Sequence, residues 1–92
     1  MKPEERSDVF RGLANRWRRR IVDHLRPGPQ SYDALQKVVP VSQGTLSTHL
    51  GILRDCGLID SRYAGGQVSY HLNRRTLKRV GQWVQASGKM AS

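Results

Sequence analysis

Between Ser42 and Cys56 the sequence reads SQGTLSTHLGILRDC. Gln43, Thr45, Ser47 and Thr48 are uncharged hydrogen-bonding side chains, and Gly44 and Gly51 add no bulk between them. Leu46, Leu50 and Leu53 recur at helical spacing, so the segment forms a helix with one apolar face. Its other face lacks the Lys and Glu of an ordinary solvated helix. Amides and hydroxyls at this spacing make no covalent chemistry; they recognise donors, acceptors and methyl groups on another molecule.

Bond-making chemistry has no comparable support. There is no Ser-His-Asp order in a turn context, no glycine-rich phosphate loop and no carboxylate pair placed for acid–base work, so an enzyme is not expected. His24, His49 and His71 fall on separate elements, whereas a metal needs three or four converging ligands, so neither metal nor cofactor is expected. Cys56 is the single cysteine. It excludes an internal disulfide framework, fits a reducing cytoplasm, and reads as a small packing residue rather than a redox switch.

Sixteen Lys and Arg against seven Asp and Glu give a net charge of +9 over 92 residues. So basic a small domain points to a polyanion, with nucleic acid ahead of a membrane surface. Arg11, Arg16, Arg18, Arg19, Arg20 and Arg26 crowd an early segment, and Arg74, Arg75, Lys78 and Arg79 a late one. The neutral helix lies between them. Base edges in a DNA major groove offer what its face can read: Gln43 pairs with adenine, Ser47 and the threonine hydroxyls donate or accept, and the methyls of Thr45 and Thr48 meet thymine. Gly44 lets the backbone approach. Gln43, Gly44, Thr45, Ser47 and Thr48 are therefore the expected base readers. Arg18, Arg19, Ser42, His49, Arg54, Arg62 and Gln67 are the expected backbone contacts.

The elements that must carry these residues follow from periodicity and punctuation. Asp8–Ala14 forms a short helix with Val9, Phe10 and Leu13 on one side. Asn15 caps a second, with Trp17, Ile21 and Leu25 inward, stopped at Pro27-Gly28-Pro29. Ser31 caps a third, with Tyr32, Leu35 and Val38 or Val39 inward, ended by Pro40. Ser42 caps the fourth, and Gly57 closes it. The period then changes to two: LIDSRY and QVSYHL alternate about Gly65-Gly66, a hairpin signal. Asn73 caps a last helix, apolar at Leu77, Val80, Trp83 and Val84, and SGKMAS is expected to fray. The reading is one mainly α domain over residues 1–92 with an ordered core of about 7–86: five helices and a two-stranded wing. No apolar run approaches the roughly 20 residues a membrane span needs. The opening MKPEERSD is too polar for a signal peptide.

SQGTLSTHLGILRDCGLIDSRYAGGQVSYHL resembles the recognition helix and wing of ArsR-type bacterial repressors, whose pattern is S-x-x-x-(apolar)-S-x-H-L-x-x-L-x-x-x-G-L-(apolar) followed by a glycine-containing wing and an aromatic strand. Ser42, Leu46, Ser47, His49, Leu50, Leu53, Gly57, Leu58, Ile59 and Tyr70 fall on it. VFRGLANRWRRRIVDHL is similar to that family's opening, with Asn15 for the usual Asp and Arg16-Trp17 where Pro-Thr is common. The likeness covers about residues 9–85, and its ending is most similar to the metal-independent autorepressor (SdpR-like) branch. The resemblance implies a homodimeric repressor joined through its first and last helices. Val9, Phe10, Leu13, Leu77, Val80, Trp83 and Val84 supply the apolar area for that. The expected partners are double-stranded DNA with an imperfect palindrome and a second copy of the chain. The alternatives are release by a small-molecule or redox inducer, and a winged-helix module that binds an acidic protein instead of DNA.

Overall fold

The computed structural model describes residues 2–91. Helix α1, Pro3–Leu13, starts five residues before the expected Asp8. Its first turn has no apolar periodicity to betray it. Pro3 fits the first helical position, Glu4 and Glu5 favour the positive end of the helix dipole, and the Lys2 backbone N–H donates to Glu5 Oε2 at 3.3 Å. Helix α2, Arg16–Leu25, begins where Asn15 Oδ1 accepts the backbone N–H groups of Trp17 (2.8 Å) and Arg18 (3.2 Å).

Past the Pro27–Pro29 break, Gln30–Ser31 form β1, a strand absent from the expected two-stranded wing. Ser31 serves twice, since its Oγ also accepts from Ala34 N to cap α3, Tyr32–Val38. Helix α4, Gln43–Asp55, is capped by Ser42 and ends at Gly57, whose φ is +79°. There Leu58 N donates to Leu53 O and Gly57 N to Arg54 O, a Schellman closure that requires a left-handed residue.

Strands β2, Ile59–Ala64, and β3, Gln67–Leu72, join through Gly65 and Gly66 with φ of +61° and +77°. Two positive φ values make the turn whose twist matches an antiparallel pair. The sheet order is β1-β3-β2, with Ile59 opposite Leu72, Tyr63 opposite Val68 and Gln30 opposite Tyr70. Asn73 Oδ1 accepts from Thr76 N and starts α5, Arg74–Ala91. The helix continues to Ala91, into the segment expected to fray, whose Ser92 lies outside the described residues.

Ile21, Val22 and Leu25 of α2, Leu35 of α3, Leu46, Leu50 and Leu53 of α4, and Val39, Leu58 and Ile59 build the core. Val9 and Val80, expected at a subunit interface, lie inside the protomer at 3 % and 7 % exposure, because α1 and α5 lean on this core. Phe10, Leu13 and Leu77 pack partly against it. Phe10 meets Trp83 edge to face at 5.2 Å, tying α1 to α5, whereas Val84 stays 51 % exposed.

Candidate nucleic-acid interface

Helix α4 divides along its length. Leu46, His49, Leu50 and Leu53 are buried, while Gly44, Thr45, Ser47 and Thr48 are exposed away from that stripe and Gln43 is exposed at the first position of the helix. Successive residues are 100° apart and those three or four apart share a face, so the leucine stripe leaves Gly44, Ser47 and Thr48 outward, while Gln43, in line with the stripe, is exposed by its place at the helix start.

The first turn is held from two sides. Ser42 Oγ accepts from Thr45 N at 3.2 Å and donates to Thr45 Oγ1 at 3.0 Å. From α3, the Tyr32 hydroxyl donates to Gln43 O at 3.0 Å and lies 3.4 Å from Ser47 Oγ. The connection itself is clamped by Gln36 Nε2, which donates to Val41 O at 2.8 Å. These bonds leave specific chemistry facing out. Thr48 donates its hydroxyl to Gly44 O, so it presents lone pairs and a methyl. Tyr32 had been read only as an inward residue; its ring packs against the core while its hydroxyl fixes the reading helix, a role that apolar periodicity does not reveal.

Exposed basic groups accompany this face. On the wing side, Arg54 Nη1 reaches Ser61 Oγ of β2 at 3.4 Å, and Arg62 and Gln67 are exposed farther out. At the α1–α2 corner, Arg19 Nη1 donates to Leu13 O at 2.8 Å and the side chain remains exposed. Arg16 and Arg20 instead stack on the Trp17 ring, at 4.2 Å and 5.7 Å from its centroid. Tyr63, 75 % exposed on the wing, carries an aromatic surface outside the expected contacts.

Three expected backbone contacts are engaged within the protein. His49 is 8 % exposed and its Nδ1 lies 3.1 Å from Arg18 Nη1. Arg18 spends its other donors on Gly12 O at 2.8 Å and Arg11 O at 3.1 Å. His49 stands three residues after Leu46 and four before Leu53, so its ring goes inward with the buried stripe, and an arginine that satisfies it is drawn in as well. The Ser42 hydroxyl is committed to its cap. Burial, reinforced by the Arg18 charge, holds His49 below its usual range. Burial pushes the Cys56 thiol up, and its Sγ donates to Leu53 O.

Cys56 borders a cleft of about 210 Å³ with Asp8, Arg11, Ile52 and Asp55. Among the described residues, no group of three or more His, Cys, Asp or Glu is placed to hold a metal ion. No helix among them is long and apolar enough to cross a membrane.

A helix-turn-helix domain family matches residues 13–62, which span α2 through most of β2 and contain the whole reading helix. The transcriptional regulator CmtR of Mycobacterium bovis is 37 % identical over 86 residues, covering 92 % of this chain and 73 % of that protein. The chain belongs to the ArsR-type winged helix-turn-helix family. The transcriptional repressor SdpR of Bacillus subtilis is 27 % identical over 78 residues, 85 % of this chain and 87 % of its own length. The regulator Rv2034 of Mycobacterium tuberculosis is 36 % identical over 65 residues, 71 % of this chain; the match spans 61 % of that longer protein. Among solved structures, an ArsR-like regulator from a Rhodococcus species superimposes with a TM-score of 0.83 at 28 % identity, over 95 % of this chain and 82 % of its own. A homodimeric winged helix-turn-helix DNA-binding domain from Mycobacterium bovis gives 0.75 at 26 % identity, over 94 % and 80 %. Family and fold are those of DNA-binding transcription regulators rather than enzymes.

Proposed function

We propose that the protein is a homodimeric, sequence-specific DNA-binding repressor that works without catalysis and without a metal site. The observation that carries this reading is the α4 surface: exposed amide and hydroxyl side chains without charge, on a helix capped by Ser42, in a chain of net charge +9 whose Arg19, Arg54 and Arg62 are exposed. Gln43, Gly44, Thr45, Ser47 and Thr48 inspect bases; Arg19, Arg54, Arg62 and Gln67 grip the backbone.

Dimerisation is supported by the long α5, whose Val84 is exposed beside a half-buried Trp83, and by the homodimeric state named for the Mycobacterium bovis domain. Two copies related by a two-fold axis place their reading helices in successive major grooves about 34 Å apart, on an imperfect palindrome. Occupancy of such a site blocks access of the transcription machinery to the promoter. The bare Gly65-Gly66 tip supplies no arginine, so most wing affinity rests on Arg62.

A salt titration with duplex fragments recovered from genomic DNA by the purified protein tests this. Six to ten phosphate contacts in the dimer complex give a log–log slope of roughly −5 to −9. A flat slope with tight binding to an acidic protein would contradict the reading.

A further inference from the structure

His49 sits on the reading helix but faces away from the reading surface, 8 % exposed, in a chain whose other buried side chains are apolar. Its contact, Arg18, is anchored at three points: Nε on Gly12 O, Nη2 on Arg11 O and Nη1 at 3.1 Å from His49 Nδ1. The two carbonyls belong to the last turn of α1, the arginine to the first turn of α2, and the imidazole to the middle of α4. One guanidinium therefore joins the corner of the scaffold to the helix that reads DNA. The guanidinium can only donate, so the bond exists only while Nδ1 offers a lone pair and the ring proton resides on Nε2.

We propose that Arg18 and His49 are positioning residues for DNA recognition, a contact that sets the angle of α4 and releases it when the imidazole takes a proton. This rests on the reading of α4 as the DNA-reading helix. A protonated ring loses its acceptor and places a second cation about 3 Å from the guanidinium. Among the described residues no carboxylate forms an ion pair with Arg18 or His49. Asp8 and Arg11 of α1 and Asp55 of α4 line the adjoining cleft, Asp33 and Lys37 of α3 are exposed, and Asp60 and Arg62 alternate with Ser61 onto the face of the hairpin turned from α4. Burial and the Arg18 charge both favour the neutral ring, and the sign follows. The placed helix is favoured above pH 6.5 and progressively opposed as pH falls below it.

The test compares wild type, His49→Gln and Arg18→Gln. Each is measured for its preference for a genome-selected duplex over a random-sequence duplex, from about pH 7.5 to about 5.5. Preference, rather than affinity, cancels any sequence-independent change in net charge. Wild-type preference is expected to fall about tenfold on acidification. His49→Gln, whose amide oxygen still accepts from Arg18, is expected to hold its preference within about twofold. Arg18→Gln is expected to have lost about tenfold already at neutral pH. Parallel pH profiles for wild type and His49→Gln would overturn the proposal. A second measurement needs neither variant nor DNA: ring nitrogen NMR shifts of His49 in the free protein must show Nδ1 unprotonated at neutral pH, and a proton found on Nδ1 would overturn it. If wild type recovers no genomic fragment, the DNA reading fails, and the ring spectrum still decides the pairing.

Discussion

Replacing Ser42 by Ala removes one oxygen from the start of α4 and isolates its effect on reading. Ser42 Oγ is the acceptor for Thr45 N at 3.2 Å and the donor to Thr45 Oγ1 at 3.0 Å. Loss of an N-cap costs about 1 kcal/mol, within a range of about 0.5–2. The hydroxyl pair is exposed and adds little to that. In a domain of this length 1 kcal/mol moves the melting temperature by about 4–8 °C. The turn that frays carries Gln43, Gly44 and Thr45, so DNA must re-order it on binding, and affinity for a selected duplex falls about fivefold. Ser42→Asp separates the two effects. Aspartate caps as well as serine, so the melting temperature stays near wild type, yet its charge meets phosphate and weakens DNA binding more than Ala does. Circular dichroism melts and fluorescence anisotropy on the same preparations give both numbers. An Asp variant that binds the duplex as tightly as wild type would refute the placement of this helix end against the DNA backbone.

Gly57→Ala forces a side chain into φ of +79° and is expected to cost about 1–2 kcal/mol in denaturant melts, without altering which duplex is preferred. Trp83→Ala removes the edge-to-face partner of Phe10 and part of the proposed interface, so sedimentation should show dissociation at concentrations where wild type is dimeric. Because His49 is held below its usual range, stability is full above pH 6.5 and declines as pH falls toward its folded value; His49→Gln should flatten that decline in melts at successive pH values.

The local punctuation of the chain was legible because its causes are local. Asn15, Ser31, Ser42 and Asn73 each accept a backbone N–H two or three residues on, and Gly57, Gly65 and Gly66 each take the positive φ that the turn requires. The stripe of Leu46, Leu50 and Leu53 likewise fixed that Gly44, Ser47 and Thr48 face out, whereas Gln43, in line with the stripe, is exposed by its place at the helix start. Strand β1 was not legible: two residues cannot display an alternating period, and Gln30 and Ser31 pair only because β3 lies beside them. The start of α1 was missed because Pro3–Ser7 carries capping and dipole signals but no apolar residue. The inward turn of Arg18 depends on a partner 31 positions away, and an arginine among arginines advertises nothing. Tyr32 was read by its ring, and its hydroxyl acts across 11 positions on Gln43.

The central claim is that uncharged groups on α4 discriminate sequence while exposed arginines supply affinity. The most direct measurement is the ratio of affinities for a genome-selected and a random-sequence duplex in Gln43→Ala, Thr48→Ala and Arg19→Ala. The account predicts that the first two lower the ratio, by about 1–3 kcal/mol where a bidentate contact to a base is lost, whereas Arg19→Ala weakens both duplexes equally and leaves the ratio unchanged. A ratio that falls with Arg19→Ala and holds with the α4 variants would contradict it.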